Sequence, residues 1–297
     1  MNKILITGGS GFIGQALIKR LENNYEILAP SAKEMDITDY STVETFLKNY
    51  QPNFVIHLAA RTEVEKSFYE PEIFAKTNYV GTVNLAEASS RVLTNLKLFV
   101  FSSTMETYGW QPKENWKAFD ENTPQNPNAP YAVAKVAGEK YLIYLGRTNN
   151  FPYTILRQTN TYGREDNNFF VVEQIITQML DNPDEINLGY REPYRNFLYI
   201  DDLISLYEKV LKNVDLAKGE IFCTGPDNAV QISTLANHIG FILKWDGKIN
   251  WGTKPERPGE IYYLNSTGEK AKRVLNWEPE VNLNDGLRKT IEKWKNK

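Results

Sequence analysis

Residues 3–21 read KILITGGSGFIGQALIKRL. The short apolar run KILIT at 3–7 stops at glycines, and FIGQALIKRL carries apolar side chains at helical spacing, so the chain opens strand, glycine turn, helix. That is the first half of a βαβ unit. Gly8, Gly11 and Gly14 stand at G-x-x-G-x-x-G between the two elements. Without side chains the backbone turns tightly and approaches a diphosphate, whose charge then faces the free N–H groups of the helix N-terminus. A glycine triplet alone marks many ordinary turns; the strand before it and the amphipathic helix after it supply the context of a dinucleotide site.

The same short apolar pattern recurs in YEILA (25–29), NFVIHLA (53–59), LKLFVFSS (96–103) and YTILR (153–157), each separated by a segment of helical periodicity. Strands buried on both faces look like this, which predicts an α/β fold with a Rossmann-type, doubly wound parallel sheet. After residue 163 the alternation weakens to a helix near 169–181, a strand EINL, the segment RNFLYIDDLISLYEKVL, a strand EIFCTG and a helix STLANHIGFILKW. The expected organisation is a dinucleotide-binding domain over 1–163, to which the chain returns near 195–225, and a smaller α/β substrate-binding region over 164–297. The Pro- and Asn-rich run at 122–130 reads as an ordered loop beside the site, because YAVAK follows at once.

Composition narrows the function classes. The 297 residues are 41% hydrophobic and 24% charged, with a formal charge of -3, as in an ordinary soluble globular protein. Acids and bases are interspersed, with no basic stripe to neutralise a phosphate backbone, so nucleic acid is not an expected partner. MNKILITGGS lacks the apolar core and cleavage site of a signal peptide, and no apolar run is long enough to span a bilayer; no membrane association and a cytoplasmic location are the expectation. The single cysteine, Cys223 in IFCT, reads as a small buried hydrophobe. His57 and His238 are the only histidines and stand in different contexts, which argues against a histidine metal site or a Ser-His-Asp triad; no metal is expected.

The chemistry must come from other side chains. Tyr131 and Lys135 in YAVAK lie four apart on a helix and share a face. Bringing a phenol from a pKa near 10 to neutrality takes roughly 4 kcal/mol, which one cation about 4 Å away supplies only at an effective dielectric near 20, not in water. Lys135 is therefore expected to tune Tyr131 in a sheltered cleft and to donate to a cofactor ribose. FSSTMETYG at 101–109 follows a buried strand and delivers hydroxyls to the carboxyl edge of the same sheet. At the end of the second strand, Ala29, Pro30 and Ser31 stand where an acid would grip the adenine ribose hydroxyls, and Lys33 adds a positive charge; this favours NADP over NAD. Asp36 is a candidate acceptor for the adenine amino group, and Asp39 reads as the N-cap of a helix starting near Tyr40.

TGGSGFIG, HLAA (57–60), SST with YG, and YAVAK, in this order, resemble the extended short-chain dehydrogenase/reductase family that modifies nucleotide-diphosphate sugars. RQTNTYG (157–163), RNFLYIDDL (195–203), RPGE (257–260) and AKRVLNWEPEVNLNDGL also look like that family, so the resemblance runs through nearly the whole chain. It implies Thr104 as the active-site hydroxyl, Tyr131 as acid/base and Lys135 as its partner. It implies a cofactor wall of Gly8, Gly11, Phe12, Ile13, Gly14, Ser31, Lys33, Asp36, Ile37, Leu58, Ala59 and Ala60. Asn160, Arg195 and Arg257 match positions that hold the substrate's diphosphate and nucleotide, a task suited to the planar fork of arginine.

The shared step in that family is hydride transfer at sugar C4. Glu106 matches the base that takes the C5 proton in family dehydratases, whereas Met105 replaces the acid that protonates a departing C6 hydroxyl; Glu106 is equally readable as a solvent carboxylate or a partner of Arg61. Together with the missing ribose-binding acid and the short chain, this resembles the NADPH-dependent reductases of 4-keto sugars, with 4-epimerase and 4,6-dehydratase as alternatives. A non-catalytic NADP sensor has no need of Thr104, Tyr131 and Lys135 together. The helices near 75–90 and 131–146 are those that pair in the family's dimers, so the resemblance also implies a homodimer. Trp110, Trp116 and Phe119 read as loop anchors.

Overall fold

The computed structural model describes residues 1–253, 255 and 258–297. Strands β1 (Lys3–Thr7), β2 (Glu26–Leu28), β3 (Phe54–His57), β4 (Leu98–Thr104), β5 (Tyr153–Gln158) and β6 (Glu220–Cys223) form one sheet in the order β6-β5-β4-β3-β1-β2. Every neighbouring pair is parallel. The predicted strands are all present, and EIFCTG joins this sheet at its edge, whereas EINL does not. Glu185–Asn187 pairs instead with Lys248–Asn250 in a separate two-stranded ribbon.

Alternation along each strand divides the core in two. Ile4, Ile6, Ile56, Val100 and Leu156 face one side, against Leu17 and Leu21 of helix α1 (Phe12–Leu21) and Leu203, Leu206 and Tyr207 of the helix Ile200–Lys212. Leu5, Val55, Phe99, Phe101 and Ile155 face the other, against α2 (Tyr40–Tyr50), α3 (Gly81–Val92) and α4 (Pro130–Asn149). Each such fully buried aliphatic side chain contributes on the order of 1.5–3 kcal/mol of burial free energy, and burial on both faces explains the continuous apolar strands. Asp39 caps α2 as expected, its side chain accepting from the Ser41 N–H.

The rest of the chain builds short sheets beside the carboxyl edge. Asn160–Tyr162 pairs with Phe197–Tyr199, and Tyr194–Arg195 is flanked by Val230–Gln231 and Tyr263–Leu264. Trp116 stacks on Tyr263 with ring centroids 5.0 Å apart, and Phe119 is buried beside it, so these two aromatics anchor the loop to that sheet. The 122–130 loop is pinned by Asn126 N–H to the Thr107 carbonyl and Asn128 Nδ2 to the Gly259 carbonyl. Cys223 is buried, its Sγ 2.9 Å from the Tyr108 hydroxyl. Among the described residues no helix is long and apolar enough to cross a membrane.

Candidate active site

β1 and β3 lie side by side and end together at Thr7 and His57. The strand order reverses here, which opens a crevice at the carboxyl ends. Gly14 makes the turn possible: a Cβ there would lie 2.4 Å from the Gly8 carbonyl oxygen and 2.7 Å from the Gly9 Cα, closer than any side chain tolerates. Gly11 caps α1 without a side-chain hydrogen bond, so the first-turn N–H groups are left to whatever fills the crevice. That crevice is a cavity of about 760 Å³, lined by Gly8, Gly11, Phe12, Ile13 and Gly14, by Ser31, Asp36 and Ile37, and by Leu58, Ala59 and Ala60. A glycine cradle with open helix N–H groups fits the diphosphate of a dinucleotide.

A buried hydrogen-bond chain fixes the floor. Thr82 gives its hydroxyl proton to the Asn78 carbonyl at 2.7 Å, so His57 Nε2, 3.0 Å from Thr82 Oγ1, must be the donor in that pair. His57 Nδ1 then accepts from Thr7 Oγ1 at 2.8 Å. Burial and nearby Lys135 push the imidazole pKa down to about 3, so it is neutral, as this tautomer requires. Asn78, inside a π-helical turn, holds the backbone of Arg61 with both ends of its amide at 2.8 Å, and so sets the cavity wall at Ala60 and Arg61.

On the opposite wall, β4 delivers Thr104 and α4 delivers Tyr131 and Lys135. Tyr131, Lys135 and Glu139 recur every four residues and all face inward. Gly138 lets α4 sit close on β4, since a Cβ would meet the Phe101 ring at 3.1 Å. Lys135 Nζ donates to the Ser102 carbonyl at 2.7 Å and lies 4.8 Å from the Phe101 ring centroid. Beneath it Glu139 is fully buried. It accepts from Ser103 Oγ at 2.5 Å and Gln125 Nε2 at 2.8 Å, and pairs with Arg157 at 2.8 Å.

Protonation departs from the sequence expectation. Burial pulls the Lys135 pKa down to about 7, against the upward pull of Glu139. Burial, reinforced by the charge of Glu106, raises the Tyr131 pKa, and the Thr104 hydroxyl is the neighbour that opposes it. Lys135 Nζ is hydrogen-bonded to the Ser102 carbonyl, and burial and Glu106 are what raise the phenol. The phenol is held neutral, as a proton donor.

Not every expected residue lines this cavity. Arg195 does not line the cavity; its guanidinium pairs with Glu260 at 2.7 Å, because Tyr194–Arg195 belongs to the outer three-stranded sheet. Lys33 is exposed and also off the cavity, and Arg257 lies outside the described residues. The loop after β2 is not free of acid. Glu34 turns back to accept both the N–H and the hydroxyl of Ser31 at 2.8 Å. Asn160 does line the cavity, with Nδ2 donating to the Asn196 carbonyl at 3.1 Å.

Glu106 lines the cavity as well. Its Oε2 is buried with no hydrogen-bond partner, and no ion pair with Arg61 forms among the described residues. Met105 is buried with its sulfur 3.0 Å from Thr159 Oγ1. Sequence reasoning missed Asn78 and Arg164: the first carries no spacing signal, and the second meets Phe12 only through the fold.

A model of the NAD dependent epimerase/dehydratase family matches residues 4–225. The crystal structure of Thermotoga maritima UDP-glucose 4-epimerase with UDP-glucose is 30% identical, with a TM-score of 0.90 and 99% of each chain covered. A dTDP-glucose 4,6-dehydratase of Streptomyces niveus is 30% identical over 321 residues, covering 98% of this chain and 92% of the relative. A UDP-glucose 4-epimerase of Mycolicibacterium smegmatis is 28% identical over 328 residues, covering 99% of both chains.

Proposed function

The chain belongs to the NAD-dependent epimerase/dehydratase family, and from that membership we propose that it catalyses oxidoreduction at C4 of a nucleotide-diphosphate sugar, in the direction that reduces a 4-keto sugar. The observation that supports it is the convergence of Thr104, Tyr131 and Lys135 on the wall of the cavity that the glycine turn opens. A bound nicotinamide supplies or accepts the hydride at C4. Thr104 orients the C4 oxygen, and Tyr131 gives that oxygen its proton as the ketone becomes an alcohol. Lys135, whose Nζ donates to the Ser102 carbonyl on the same cavity wall, is placed to donate to the cofactor's ribose as well. Met105 carries no proton for a leaving hydroxyl, which weighs against a complete dehydration.

The glycine turn, Asp36, Ile37 and the segment Leu58–Ala60 hold the dinucleotide, NAD or NADP, and Asn160 contacts the sugar nucleotide. By family resemblance the protein works as a homodimer. A second reading, 4-epimerisation, is favoured by the presence of epimerases among the relatives and needs the same three side chains. Incubating purified protein with a panel of nucleotide sugars and their 4-keto forms, with and without reduced nicotinamide, separates the two. Stoichiometric oxidation of the nicotinamide by a 4-keto sugar supports reduction; interconversion of C4 epimers without net oxidation overturns it.

A further inference from the structure

Arg164 follows the TYG of 161–163 and is buried, 9% exposed, in the wall of the same cavity. Its guanidinium lies 4.3 Å from the ring centroid of Phe12, the first residue of α1 in the glycine turn, and 3.9 Å from that of Phe170. Two rings hold the plane of the fork in place. Of its five N–H donors, one hydrogen bond is made among the described residues, from Nη1 to the Thr161 carbonyl at 2.6 Å. The closest carboxylate oxygen, Glu173 Oε1, is 3.8 Å away and is already accepting the N–H groups of Gly163 and Arg164 at 2.9 and 3.0 Å. Glu173 Oε2 is buried with no hydrogen-bond partner, and Asp166 stands at the rim.

No nitrogen of Arg164 is both buried and unpartnered, so the donors its one hydrogen bond leaves over are open to the cavity it lines and can take a ligand. The open N–H groups of α1 and this fork meet at Phe12, and both line one cavity. We propose that Arg164 is a cofactor-binding residue: its fork closes over the diphosphate that docks on the glycine turn, gripping from the front the group that the α1 N-terminus holds from behind. The planar fork matches two phosphate oxygens, which neither a lysine nor the helix N–H groups alone reproduce. The inference rests on dinucleotide binding alone and is independent of the chemistry at C4.

Calorimetric titration of the full chain with NAD⁺, ADP-ribose, adenosine and UDP tests it without turnover, and ADP-ribose carries the diphosphate without the nicotinamide. Arg164→Met keeps an apolar stem against Phe12 and Phe170. It is expected to raise the dissociation constants for NAD⁺ and ADP-ribose about tenfold or more, while adenosine stays within about twofold. Arg164→Lys, which keeps the charge but loses the fork, is expected to fall between the two, and it decides the matter if Arg164→Met does not fold. Unchanged ADP-ribose affinity in a variant with native melting behaviour overturns the proposal. So does a loss confined to UDP, which would give the fork to the substrate's diphosphate instead.

Discussion

Replacing Glu139 by Gln probes the device that joins β4, β5 and α4. The carboxylate is fully buried and takes four donors: Ser103 Oγ, Gln125 Nε2, and Nε and Nη2 of Arg157. An amide of the same shape turns one acceptor into a donor facing donors and leaves the Arg157 charge buried without its anion. Breaking one side of a buried pair costs about 3–5 kcal/mol. With an unfolding entropy of about 2.1 cal/mol/K per residue, a chain of this length loses roughly 0.6 kcal/mol per degree at its midpoint. The melting temperature should therefore fall by about 5–8 °C, measured by calorimetry at neutral pH. Because Glu139 holds the Lys135 pKa up, its loss should also move Lys135 further down. The double variant Glu139→Leu, Arg157→Met should recover most of the loss, since an apolar replacement leaves no orphaned charge. A shift below about 2 °C for Glu139→Gln, or a double variant no better than the single one, would refute this reasoning.

Two further outcomes follow from the same structure. Gly14→Ala places a methyl 2.4 Å from the Gly8 carbonyl and should abolish dinucleotide binding by titration, or prevent folding; near-normal affinity would show that the turn yields. The unfolded imidazole of His57 takes a proton below about 6.5, whereas the folded one resists down to about 3. Between these values the unfolded state binds more protons, so stability falls as pH falls, by up to about 1.4 kcal/mol per unit from this one group. Urea melts of His57→Gln between pH 6.5 and 5 should show a flatter acid limb than the parent, and identical limbs would remove His57 from the account.

Much of the sheet was legible because its strands are buried on both faces and carry no competing period: KILIT, NFVIH, LFVFSS and YTILR announce themselves. The glycine turn and the four-residue step from Tyr131 to Lys135 were legible for the same reason, since each depends on local spacing. Partnerships across the chain were not. Arg195 reads as a ligand-gripping cation in sequence, yet a short outer sheet brings it to Glu260, 65 residues away. Nor does spacing show that Glu34 folds back on Ser31. Electrostatics was the hardest part: spacing put a cation near a phenol, but not the burial and the Glu106 charge that raise the phenol, nor the Ser102 carbonyl to which the cation donates.

The central claim is that Tyr131 donates the proton at a site where the dinucleotide and sugar are bound by other groups. The direct measurement is Tyr131→Phe, with dinucleotide affinity by titration and turnover of a 4-keto nucleotide sugar followed side by side. The account predicts a rate about 10²–10⁴-fold lower, with the dissociation constant for the dinucleotide within about twofold of the parent. A variant that turns over as fast as the parent would contradict it.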